Sequence, residues 1–161
     1  KDIPTYKAAI GDFQFYDENL IQPKLTELGF KRELQWFQKR NLSKMLGYPS
    51  IADFSVPGSG KTTEAIAFYL LKRNSINDKV LIISPINAFT AWEEDVPACI
   101  EGESVLRLRG EISDIKKLVK KQNKFLITNY EFVRSSTKFL EFLAEELRKT
   151  DRNYFIVLDY V

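Results

Sequence analysis

Residues Ser55-Val56-Pro57-Gly58-Ser59-Gly60-Lys61-Thr62 place glycines, a lysine and a hydroxyl at the spacing that cradles a polyphosphate. Glycine at 58 and 60 permits positive φ, so successive backbone N–H groups can turn toward one point at the mouth of the following helix. There Lys61 reaches the terminal phosphates as a point charge, and the Thr62 hydroxyl ligates a Mg²⁺ ion bridging two of them. The pattern departs from the strict phosphate loop at Ser55, where the first glycine belongs. On this reading Pro57, Gly58, Ser59, Gly60, Lys61, Thr62 and Thr63 form a nucleotide site. The alternative is a plain strand-to-helix turn with a solvated lysine, although the helix dipole disfavours a cation at that position.

Mg²⁺ keeps several waters and takes few protein ligands, so the loop calls for one acidic partner at the tip of a neighbouring apolar strand. Asp159 follows the run Phe155-Ile156-Val157-Leu158 and is the candidate. A strand-end aspartate capping a turn would look the same.

Those residues need a scaffold, and the hydrophobic periods supply one. Strand-like runs at Ile51–Val56, Val80–Ser84, Ser104–Leu108, Phe125–Thr128 and Tyr154–Asp159 alternate with helical patterns at Lys61–Lys72, Ala88–Cys99, Ile112–Lys121 and Glu131–Arg148. Strands alternating with helices imply right-handed crossovers and an α/β fold with a mostly parallel sheet covered by helices on both faces. The unbroken apolar runs Val80–Ile83 and Phe155–Leu158 suit strands buried on both sides. A further helix is expected over Leu34–Leu46, stopped by Gly47 and Pro49, and a small hairpin over residues 6–16 around Gly11-Asp12.

Composition limits the remaining choices. The 161 residues are 44% apolar, 29% charged and 13% aromatic, which describes a single globular domain able to bury its own core. Cys99 is the sole cysteine and histidine is absent, which removes disulfide frameworks, histidine-dependent triads and nearly all zinc sites. An intracellular location is the expectation. The net charge of +2 announces neither nucleic acid nor an anionic membrane. No apolar run approaches the roughly 20 residues of a membrane span, so no membrane partner is expected. Lys1 in place of Met and the apolar run into Val161 suggest a piece of a longer protein.

With these segments in order, the chain resembles the first motor lobe of superfamily 2 helicases and, within them, the SWI/SNF-like DNA translocases. Leu34-Gln35-Trp36-Phe37-Gln38 is similar to that family's segment ahead of the phosphate loop. Val80-Leu81-Ile82-Ile83-Ser84-Pro85 with Trp92-Glu93-Glu94 is similar to its next motif, and Phe125-Leu126-Ile127-Thr128-Asn129-Tyr130-Glu131 to the strand that follows. The resemblance covers about residues 30–161, leaving 1–29 as an accessory segment and a lobe incomplete at its C-terminus. It implies a RecA-like three-layer fold, ATP and Mg²⁺ as cofactors, ATP hydrolysis, duplex DNA as partner with RNA less favoured, and a second RecA-like lobe outside this chain. It also assigns Gln38 to the adenine edge, Lys61 and Asp159 to catalysis, Thr62 and Asp159 to the metal, and Ser84, Pro85, Asn87 and Thr128 to the nucleic-acid path.

Each assignment has a plainer counterpart. Gln38 suits an amphipathic helix surface, Trp92 suits core packing, and the Thr128 hydroxyl suits a strand-end backbone group. The cluster Lys116, Lys117, Lys120, Lys121 and Lys124 suits a solvated face as well as a DNA path. The family pattern itself breaks after Asp159, where either Tyr160 replaces the glutamate that activates water or residues of the loop after this strand are missing between Asp159 and Tyr160. A phenol with pKa near 10 is a poor base at neutral pH. A catalytically silent nucleotide-binding scaffold and an RNA-directed helicase therefore stand beside the DNA translocase.

Overall fold

A computed structural model describes residues 5–7, 14–48, 60–149 and 153–159. The chain forms two compact units, Lys1–Lys72 with Ala98–Glu101, and Arg73–Pro97 with Gly102–Val161.

In the first unit β1 (Thr5–Lys7) pairs antiparallel with β2 (Gln14–Tyr16), the two arms of the predicted hairpin. Its Gly11-Asp12 turn and the predicted strand Ile51–Val56 lie outside the described residues. Helix α1 (Glu18–Glu27) has no counterpart in the sequence expectation, because Pro23 interrupts it and most of its residues are polar. Its ends hold it. The Asp17 carboxylate accepts the Asn19 N–H at 3.0 Å as N-cap. At the other end Gly29 takes φ +94°, and the N–H groups of Gly29 and Phe30 donate to the carbonyls of Thr26 and Leu25 at 3.1 and 2.9 Å. That is a Schellman stop.

Helix α2 (Trp36–Met45) starts at Trp36 instead of Leu34 because Gln35 and Gln38 close a capping box, the Gln35 N–H donating to Gln38 Oε1 at 2.8 Å. Helix α3 (Lys61–Lys72) has the boundaries its periodicity predicts. Ile21, Leu25, Leu42, Ile66, Ala67 and Leu70 are all buried.

The second unit carries β3 (Lys79–Ser84), α4 (Phe89–Cys99) as far as Pro97, β4 (Val105–Arg107), α5 (Ile112–Val119), β5 (Phe125–Asn129), α6 (Tyr130–Ser135), α7 (Thr137–Arg148) and β6 (Tyr154–Leu158). Its four strands form one all-parallel sheet in the order β4-β5-β3-β6, the α/β arrangement the alternation implies. Helices α5, α6 and α7 pack over one face around Leu81, Leu126, Ile115 and Phe139. Helix α4 lies on the other, where Arg107 of β4 meets Glu93.

Two expectations need correction. The helix expected over Glu131–Arg148 is broken at Ser136, whose φ −116° and ψ 101° are non-helical and whose hydroxyl accepts the Phe139 N–H at 3.2 Å. A serine that satisfies the backbone locally starts a new helix more readily than it continues an old one. The run Phe155–Leu158 is not covered on both sides either: Ile156 and Leu158 are 51% and 53% exposed. Among the described residues β6 is the sheet edge, and the helices packed on that face gather around Leu81 and Leu126 instead.

Buried polar groups tie the strand starts together. Asp78, 1% exposed, accepts the N–H groups of Asn74 and Ser75 through Oδ2 at 2.9 and 3.2 Å, and that of Asn153 through Oδ1 at 3.1 Å. One carboxylate thus joins the turn before β3 to the start of β6. The neighbouring Lys79 ammonium donates to the carbonyls of Val119 and Lys121 at 2.6 and 2.9 Å, where the negative end of the α5 dipole favours a cation. No helix among the described residues is long and apolar enough to cross a membrane. Replacing Asp78 with Ala strands three backbone donors, and urea denaturation should show a loss of about 2–4 kcal/mol. A loss below about 0.5 kcal/mol would contradict this anchoring role.

Candidate functional site

In the first unit the candidate residues converge on the start of α3. Gly60 sits at φ +84°, a conformation open to glycine and strained for other residues. Its carbonyl accepts the Glu64 N–H at 3.0 Å, which closes the first turn of α3, and the Gln38 amide at 3.4 Å. A Cβ at this position would overlap the Gln38 Nε2 atom. The structure therefore brings Gln38, from α2, against the last residue of the glycine loop. Gln38 is itself buried.

Lys61 projects into solvent and Thr62 is half-buried, while Thr63 is buried and its hydroxyl accepts Arg32 Nη1 at 2.8 Å. Glu64 is 1% exposed and takes a hydrogen bond from Asn41 Nδ2 at 3.1 Å. A carboxylate in the first turn opposes the positive end of the helix dipole. The first backbone N–H groups of α3 have no partner within the helix, as at any helix start. Arg32 and Asn41 were not singled out from the sequence, because their partners lie across the fold and no local motif contains them. Pro57, Gly58 and Ser59 lie outside the described residues.

In the second unit the candidates gather at the carboxyl ends of β3, β5 and β6, the edge where open parallel sheets bind ligands. Asp159 continues the ladder, its N–H donating to the Ile83 carbonyl at 2.9 Å. Its Oδ2 accepts the indole N–H of Trp92 at 2.9 Å, and no hydrogen bond from the described residues reaches Oδ1. Ser84 is fully buried and its hydroxyl donates to the Pro85 carbonyl at 3.0 Å. Pro85 is half-buried, and Asn87 is exposed on the short turn Ile86–Ala88. Thr128 is 1% exposed, and its hydroxyl has no hydrogen-bond partner among the described residues. Asn129 caps α6 by accepting the Phe132 N–H at 2.8 Å.

The lysine cluster sits elsewhere. Lys121 and Lys124 offer their carbonyls to Lys79 Nζ and to the Val80 N–H, at the starts of the strands and so at the opposite edge from Asp159.

Helix α4 is clamped beside Trp92. Arg107 donates to both Glu93 oxygens at 2.6 and 3.0 Å and stacks over the Phe89 ring at 5.2 Å. The Arg107 hydrogen bond holds the Glu93 carboxyl below its ordinary value of 4.5. A depressed carboxyl stabilises the fold above its unfolded value and loses that contribution as pH falls through its folded value.

No family model and no curated protein matches the chain. Among solved structures it is similar to the Sulfolobus solfataricus SWI2/SNF2 ATPase core in complex with dsDNA, with a TM-score of 0.57 and 18% sequence identity. The match covers 81% of this chain and 32% of that one, so the chain spans about a third of its length. At this identity the likeness shows the fold.

Two outcomes follow. Gly60→Ala should destabilise the chain by about 1–3 kcal/mol through backbone strain and collision with Gln38, and an unchanged melting temperature would contradict the geometry. Glu93→Gln should flatten the fall in stability on acidification below 4.5, and unfolding curves of both proteins that stay parallel through that range would contradict it.

Proposed function

We propose that this chain is the nucleotide-binding lobe of an ATP-dependent DNA translocase of the SWI/SNF-like kind. The observation that carries the proposal is the start of α3, where a glycine at φ +84° leads directly into Lys61 and Thr62. That backbone turn suits close approach of a phosphate, and Lys61 is exposed and free to reach it. The parallel sheet and its likeness to an ATPase core supply the matching scaffold.

Mg²⁺ takes hard oxygen ligands, and each unit offers a candidate donor of that chemistry: the half-buried Thr62 hydroxyl in the first, and in the second Asp159 Oδ1, which no protein donor occupies among the described residues. When bound, the ion would neutralise charge developing on the terminal phosphates. Lys61 would hold those phosphates, and Gln38 would face the base with an amide offering both donor and acceptor.

Hydrolysis by the whole protein would draw on a second lobe, whose arginine is worth several powers of ten in comparable enzymes. Duplex DNA would be gripped mainly through phosphates at the carboxyl edge, with Asn87 and Pro85 on the surface and the buried Ser84 and Thr128 shaping it from below. Such binding is salt-sensitive and tolerant of sequence. Comparing stimulation by duplex DNA, single strands and RNA in a protein carrying both lobes separates the DNA reading from the RNA one.

Tyr160, directly after Asp159, favours a second reading, a scaffold that binds nucleotide without turnover. Both readings require Lys61. Lys61→Ala should weaken Mg²⁺·ATP binding at least about tenfold by calorimetry, with the fold intact because the side chain is exposed. Unchanged affinity in that variant would refute both.

A further inference from the structure

We propose that Trp92 is a positioning residue for the metal-binding carboxylate, fixing Asp159 in the rotamer that presents Oδ1 to Mg²⁺. This assignment rests on the nucleotide reading above and extends it to a residue outside the phosphate loop.

Trp92 is 2% exposed, so on burial alone it is a core side chain that phenylalanine could replace. Its indole N–H argues otherwise. A buried indole needs an acceptor, and among the described residues this one finds Asp159 Oδ2 at 2.9 Å, across 67 positions of sequence. Asp159 directly follows the last residue of β6, an edge strand among the described residues, and is half-buried. A carboxylate so placed has rotameric freedom that binding a cation would have to remove. The indole removes it in advance. It also divides the labour between the oxygens, with Oδ2 engaged by a neutral donor and Oδ1 without a donor among the described residues.

A neutral donor suits this role better than a cation would. An arginine or lysine at the same distance would compete electrostatically with the metal, whereas an N–H dipole orients the carboxylate and leaves its full charge for the ion. The indole is itself held in place. Glu93, the next residue, is gripped through both oxygens by Arg107 of β4, and Phe89 one turn earlier lies under the same guanidinium. Val96, one turn beyond Trp92, is fully buried.

The test compares the unaltered chain with W92F, V96A and D159A. Orienting groups behind a metal ligand typically contribute ten- to hundredfold to metal affinity. W92F should therefore raise the Mg²⁺ concentration that half-saturates ATP binding about tenfold and leave Mg²⁺-free ATP affinity unchanged. V96A, which loosens the same helix without removing the N–H, should shift neither. In ¹⁵N–¹H spectra the indole signal missing from W92F belongs to Trp92. It should move upfield and exchange faster in D159A.

An unshifted Mg²⁺ dependence in W92F, an equal shift in V96A, or an indole signal indifferent to D159A would overturn the proposal. If W92F does not fold, the unaltered chain decides. Displacement of the indole signal by ATP only when Mg²⁺ accompanies it supports the assignment, and the same response to ATP alone overturns it. If the unaltered chain shows no Mg²⁺-dependent ATP binding, the nucleotide reading fails and takes this assignment with it, whereas normal binding with W92F unaffected refutes the assignment alone.

Discussion

The parallel register around β3 sets what the carboxyl edge can do. Ile83 lies opposite Thr128 on one side and Leu158 on the other, so Ser84, Asn129 and Asp159 emerge together at the ends of three adjacent strands. Side chains alternate along a strand, and a slip of one position would carry Asp159 to the face opposite Trp92. The register is secured at the far edge, where buried Asp78 ties the turn before β3 to Asn153 and buried Lys79 ties β3 to the end of α5. Polar contacts at the strand starts thereby determine the geometry at the strand tips.

Helix α4 converts that register into a preorganised group. It crosses one face of the sheet, takes the Arg107 side chain at its exposed flank and sends the Trp92 indole to Asp159 on its buried side. In the first unit a comparable economy holds at the start of α3. The Gly60 carbonyl receives both the first helical N–H and the Gln38 amide, so the glycine loop and the candidate adenine-facing residue share one hydrogen-bonding point. Both places use backbone geometry to hold a side chain ready, which reduces the entropy lost when a ligand arrives.

Local chemistry was the part of this fold that could be read from sequence. Helix α3 and strands β3, β5 and β6 follow from apolar runs bounded by glycine, serine or aspartate, and their alternation implied the parallel sheet. Helix α1 stayed hidden because Pro23 and a polar surface masked its pattern, although Asp17 and Gly29 marked its ends. The break at Ser136 was hidden because the apolar period runs on through it into α7. Strand order, the exposed side of β6 and the Trp92–Asp159 bond depend on contacts between residues far apart in the chain, which no window of sequence contains. For the site, the candidate phosphate loop was marked by its spacing and Trp92 by its motif, whereas Arg32 and the Trp92–Asp159 pairing became visible only with the partners beside them.

The central proposal is that Asp159, at the tip of β6 and held by the Trp92 indole, receives the cation that accompanies ATP. Paramagnetic Mn²⁺ used in place of Mg²⁺ reports on this directly by broadening nearby proton signals. The account predicts that Mn²⁺·ATP erases the Trp92 indole signal over a saturable titration. A Trp92 indole signal left sharp throughout the titration would contradict it.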